Sequence, residues 1–129
     1  YALLQTGQVE AAVLHYQRAL ELKPDYAGAD NNLAWVLATH PKDAIRNGNR
    51  AVELAKRAVQ LSGGNNLITL RTLAASLAEA GKFSEAVQVA GQALQLATTQ
   101  GSAAMAGTLR REIALYQSGQ SLRDPVKSQ

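Results

Sequence analysis

The side chains of this chain that could move a proton or bind a metal are few: two histidines, His15 and His40, four aspartates, six glutamates and no cysteine. Lack of cysteine excludes a thiolate nucleophile, a zinc–thiolate site and a disulfide framework. The histidines are far apart in sequence, and the near candidates for a metal site at i, i+3 or i+4 are isolated. No serine or threonine sits in a nucleophile-elbow setting, and no two carboxylates share an obvious helical face for acid–base work. Neither catalysis nor a cofactor or metal is therefore expected. Thirteen Lys and Arg against ten Asp and Glu leave a net charge of only +3. The basic residues are scattered, with Lys56-Arg57 and Arg110-Arg111 as the doublets. Without interleaved aromatic residues they form no stacking surface, so nucleic-acid binding is not expected either.

What the residues do offer is repetition. Arg18-Ala19-Leu20-Glu21-Leu22 returns as Arg57-Ala58-Val59-Gln60-Leu61 and again as Gln92-Ala93-Leu94-Gln95-Leu96, at spacings of 39 and 35 residues. Self-similarity at such a period belongs to stacked helical hairpins, because one hairpin cannot bury its apolar face without neighbours. Ala12/Tyr16/Ala19, Ala51/Ala55/Ala58 and Ala86/Ala90/Ala93 share an i, i+4, i+7 spacing that puts each trio on one helix face. Small residues there let a second helix approach closely. Apolar residues make up 47% of the chain but aromatics only 5%, so packing rests on many small alanine contacts summed over interfaces. The periodicity predicts helices over about 1–6, 9–22, 26–39, 49–61, 66–80, 84–97 and 102–117, with Gly63-Gly64-Asn65 breaking the second hairpin from the third and Ser84 as an N-cap.

These residues resemble the tetratricopeptide repeat, whose pattern places W-x2-L-G-x2-Y, A-x3-F and P over about 34 residues. The first copy supplies Gly7, Ala12, Tyr16, Ala19 and Pro24, with Asp25 capping the next helix. The middle copy has Leu33, Ala34, Leu37, Ala51, Ala55 and Ala58. The third has Leu70, Leu73, Ala74, Leu77, Gly81, Phe83, Ala86, Ala90 and Ala93. Thr98 and Ala90 depart from the family's proline and aromatic, and the middle turn carries an insert over 40–49. Asn31-Asn32-Leu33-Ala34-Trp35 with its Pro-bearing insert, and the ending Leu109 to Gly119, are similar to the C-terminal repeats of large bacterial tetratricopeptide proteins labelled O-linked N-acetylglucosamine transferase-like. The resemblance implies an all-α solenoid of about three hairpins, the first truncated, in repeats 1–25, 26–64 and 65–98. A capping helix at 102–117 would complete an array over 1–117, followed by a loose polar tail at 118–129.

The resemblance also implies a function. In such arrays the first helices of successive hairpins line a concave groove that holds an extended peptide or a partner helix. The corresponding slots here are Gln5, then Asn31, Asn32, Trp35 and Thr39, then Ile68, Arg71, Thr72 and Glu79. Asn32 matches an asparagine ladder that grips peptide backbone, an amide offering donor and acceptor together. Trp35 either anchors an apolar or proline-rich ligand segment or packs between hairpins. Arg71 either meets an acidic ligand group or makes a local ion pair. The insert, with Lys42, Arg46 and Arg50 near His40 and Asp43, is a second contact surface or a structural flap.

The cap is expected to bury Leu109, Ile113 and Tyr116 and to keep Arg110, Arg111 and Glu112 mostly off that stripe. The chain starts at Tyr1 inside a helix, which is expected of a piece of a longer protein. Its leading edge, around Leu3, Val9 and Val13, is then exposed apolar surface suited to self-association. No apolar run is long enough to span a membrane. The compartment stays open, with the cytoplasm favoured. Protein interaction is one function class consistent with all this. The other is a non-binding cap or spacer at the end of a larger multi-domain protein, one associated with a glycosyltransferase by the same resemblance.

Overall fold

The computed structural model describes residues 11, 12, 14–19 and 27–124, and all regular structure among them is helical. Residues 11, 12 and 14–19 are helical, and five further helices follow: α1 (Ala27–Thr39), α2 (Gly48–Leu61), α3 (Leu67–Glu79), α4 (Phe83–Thr99) and α5 (Ala103–Gln117). They agree with the expected spans to within one or two residues. The expected first helix, Asp25, Gln5 and the leading edge of Leu3, Val9 and Val13 lie outside the described residues. No described helix is long and apolar enough to cross a membrane.

Each helix packs on the next in sequence, and α1 also packs on α3, which lies two helices further on. That pairing stacks the first helices of successive hairpins side by side and makes the array a solenoid. Alanine forms the seams. Ala51, Ala55 and Ala58 on α2, and Ala86, Ala90, Ala93 and Ala97 on α4, are fully buried. Tyr16 and Ala19 pack on the same core from the preceding helix. α3 is the most enclosed helix, burying nine of its 13 residues. Two of its buried hydroxyls are satisfied within the helix: Thr72 Oγ1 donates to the Ile68 carbonyl at 3.1 Å and Ser76 Oγ to the Thr72 carbonyl at 2.8 Å.

The helix ends follow local chemistry. Asn47 caps α2 by accepting the Arg50 N–H at 3.1 Å, and Asn66 caps α3 by accepting the Thr69 N–H at 3.0 Å. The expected Ser84 cap is not formed. Lys82 occupies the N-cap of α4 without a side-chain bond, and Ser84 is an exposed first-turn residue. The N-cap of α4 thus lies two residues earlier than serine chemistry suggested, which places Phe83 inside the helix and against the core. At the end of α3, Gly81 adopts φ 83° and lets the Lys82 N–H reach the Leu77 carbonyl at 2.8 Å.

α5 closes the array. It buries Ala106, Leu109, Glu112 and Tyr116 while Arg110 and Arg111 stay exposed. Glu112 corrects the expected stripe, for it points inward because Arg71 waits there to pair with it. The insert is pinned by Arg46. Its Nη1 donates to the carbonyls of His40 (2.8 Å) and Pro41 (2.9 Å), and its guanidinium pairs with Asp43 and with Glu79.

Candidate functional site

The stacked helices α1 and α3 present one groove. Its open part is a recess of about 370 Å³ lined by Tyr16, Asn31, Asn32, Trp35, Val36, Ile68, Arg71 and Thr72. Six of the nine sequence-expected residues (Asn31, Asn32, Trp35, Ile68, Arg71 and Thr72) meet there. Asn32 is exposed, and Ile68 is 50% exposed. Asn31 is half-buried with its Oδ1 sealed from solvent, so Asn32 is the amide an incoming chain would reach. Thr72 lines the recess but is itself buried, its hydroxyl spent on Ile68.

Arg71 and Trp35 join the two halves of the groove. The Arg71 guanidinium lies 4.6 Å from the Trp35 ring centroid, within cation–π range. It is also held by Glu112 of α5, with Nε 3.0 and 3.1 Å from the two carboxylate oxygens and Nη2 2.5 Å from Oε2. Burial works against the charged guanidinium, but the Glu112 bond and charge outweigh it and hold its pKa above the usual arginine value. Of the two readings of Arg71, the geometry is the local ion pair. Trp35 is half-buried against the core, with its indole edge engaged elsewhere.

Beyond Trp35 the groove is occupied by the chain's own C-terminal segment, and the loose tail expected over 118–129 is corrected for residues 118–124. Gly119, at φ 76°, turns the chain after α5, and the Gln120 N–H bonds the Leu115 carbonyl at 3.0 Å. The segment then crosses the C-terminal ends of α3 and α1. Ser121 Oγ donates to the Ala78 carbonyl at 3.2 Å, and the Asp124 N–H donates to the Thr39 carbonyl at 2.9 Å. The Thr39 carbonyl is one that a helix end leaves without an intrahelical partner, whereas the Ala78 carbonyl also accepts the Gly81 N–H at 3.0 Å. Leu122 packs on the core, Arg123 Nη1 sits 2.8 Å from Glu79 Oε1, and Trp35 Nε1 donates to Asp124 Oδ2 at 2.8 Å.

This arrangement changes the reading of two expected groove residues. Thr39 is 1% exposed, with its hydroxyl on the Trp35 carbonyl at 2.7 Å, so it faces no ligand. Glu79 is committed to Arg46 and Arg123 at the groove's edge. Gln5 lies outside the described residues. The residues that sequence reasoning missed are Glu112, Ser121, Leu122, Arg123 and Asp124. For Glu112 a signal existed: it stands three residues after Leu109 and four before Tyr116, on their face. Leu122, apolar in a polar tail, was a fainter one.

Among the described residues no group of three His, Asp or Glu side chains converges as a metal site would require. No curated protein and no solved structure matches the chain. Residues 1–39 match the family model described as the TPR repeat, and the all-α array of packed helices that continues through α5 is consistent with a solenoid of that type.

Proposed function

We propose that the chain is a protein-interaction module that holds a segment of a partner protein in the groove between α1 and α3. Tetratricopeptide repeats generally mediate contacts between proteins, and the match over residues 1–39 supports that class. The observation that carries the reading is the open recess beside Trp35. It is concave and presents an exposed isoleucine next to an exposed amide. Ile68 would bury an apolar partner side chain, and Asn32 would bond the partner's backbone through both its donor and its acceptor. No catalytic role, cofactor or metal enters this reading.

The test is affinity capture from a lysate by the wild-type chain and by an Asn32→Ala/Ile68→Asp variant. Both substitutions are at exposed positions, so the variant keeps its helical spectrum. A partner retained by the wild type and lost by the variant supports the groove. A partner captured equally by both overturns it.

One observation favours a second reading, in which the segment ends and spaces a larger protein such as the glycosyltransferase-like ones its repeats resemble. The C-terminal segment caps α1 and α3 and covers the Thr39–Glu79 half of the groove. Absence of any captured partner, with both proteins folded, would favour it.

A further inference from the structure

We infer that residues 121–124 are an intramolecular ligand. On this view the covered half of the groove recognises a partner segment with the same order of side chains: a hydroxyl, an apolar residue, a base and an acid.

Every position of the segment is read by a different group. The Ser121 hydroxyl meets the Ala78 carbonyl near the end of α3, which also accepts the Gly81 N–H. Leu122 enters the apolar core surface. Arg123 meets the carboxylate of Glu79. The Asp124 carboxylate accepts the Trp35 indole N–H, and its backbone N–H caps α1 at Thr39. The contacts alternate between backbone, which any chain could satisfy, and side chains, which only this pattern satisfies. A cleft of about 340 Å³, lined by Trp35, Arg71, Leu122, Arg123 and Asp124, remains beside the segment. An incoming chain can therefore reach Trp35 before the tail has left. The occupant is a partner segment of the pattern Ser/Thr-Leu-Arg/Lys-Asp/Glu that binds by displacing the tail.

The assignment rests on the groove being a binding surface, yet the two fail separately, because the tail's contacts involve neither Asn32 nor Ile68. Trp35 is the single tryptophan and reports directly on this half of the groove. The test compares the full chain with its Leu122→Ala/Asp124→Ala variant by tryptophan emission and acrylamide quenching. A synthetic peptide spanning residues 118–129 is then added in trans. The variant's emission is expected to shift red and to be quenched more strongly. The peptide should restore the wild-type signal, and a peptide with asparagine for Asp124 should bind at least about tenfold more weakly, having lost one charge-assisted bond. Unchanged emission in a folded variant, or no restoration by the peptide, overturns the inference.

Should the variant not fold, the unaltered chain gives the answer. In a ¹⁵N-labelled sample the Asp124 amide and the Trp35 indole N–H should be protected from exchange. Excess unlabelled peptide should remove the Asp124 protection while the indole stays protected. Protection that no excess of peptide changes overturns the inference equally.

Discussion

Arg71 on α3 and Glu112 on α5 are joined by a two-toothed ion pair across 41 residues of sequence, with the guanidinium stacked on Trp35 of α1. Three helices from different parts of the array thus converge on one guanidinium. The Glu112 side chain is 6% exposed and that of Arg71 25%. Removing one partner leaves the other charge largely out of water, which costs far more than the pair's net value. Glu112→Gln should destabilise the fold by about 2–3 kcal/mol. Glu53→Gln, breaking the exposed pair with Arg50, should cost under about 0.5 kcal/mol. Urea unfolding of the two variants makes the comparison. Equal midpoints would show that the Arg71–Glu112 pair does not hold α5 in place. Arg71→Lys should behave like Glu112→Gln, since an ammonium can neither fork onto the carboxylate nor stack flat on the indole.

Gly48 sits where the start of α2 comes up against the end of α3. A Cβ there would lie 2.8 Å from the Ala80 nitrogen and 2.9 Å from the Glu79 carbonyl carbon, both backbone atoms that cannot swing aside. Gly48→Ala should therefore destabilise by about 1–3 kcal/mol, although alanine is the better helix former. Gly91, inside α4, has nothing within 4 Å of the added carbon. Gly91→Ala should stabilise by up to about 1 kcal/mol. Opposite signs in thermal unfolding are the expected result. A shared sign would mean that α2 and α3 do not meet at Gly48.

The seams and the end of the array were legible in the sequence to different degrees. Ala51/Ala55/Ala58 and Ala86/Ala90/Ala93 were readable because helical period and residue size are both local properties, and all six are fully buried. Glu112 was misplaced because charge was weighed above position, yet position decided once Arg71 supplied a counter-charge. Ser84 was a sound cap by chemistry, but the N-cap of α4 lies two residues earlier, where Phe83 gains burial. The docking of residues 121–124 was barely legible, with Leu122 as its one faint signal. It depends on the ends of α1 and α3 lying side by side, a juxtaposition that exists only after the hairpins have stacked.

His40 should make the fold sensitive to mild acid. The residue is 6% exposed, and Nδ1 accepts the Lys42 N–H at 3.0 Å, so the neutral ring carries its proton on Nε2. Burial lowers its pKa from the usual 6.5, and the charges of Lys42 and Arg46 lower it further. The unfolded chain therefore takes up the proton first as pH falls. This contribution to stability is complete above about 6.5 and is lost as pH drops toward the folded value. Melting temperature should decline between about pH 7 and 5, and His40→Gln should flatten that decline. An identical slope in the variant would place the acid sensitivity elsewhere.

Tyr116 carries the complementary sensitivity at high pH. It is 1% exposed and the largest fully buried side chain described, and its hydroxyl has no hydrogen-bond partner among the described residues. Burial raises its pKa, the Glu112 carboxylate raises it further, and Arg71 opposes the shift only in part. The folded protein keeps the phenol proton above the ordinary value of 10.0, where an unfolded chain has released it. Stability from this group is thus present below about pH 10 and is lost as pH rises beyond it. Spectrophotometric titration should show one tyrosine that ionises only with the loss of helical signal, and Tyr116→Phe should abolish that coupled step. The same substitution removes an unpaired buried hydroxyl while keeping the ring, so at neutral pH it should leave stability unchanged or raise it by up to about 1 kcal/mol. A loss of more than that would mean the hydroxyl has a partner, and that the packing of α5 depends on it.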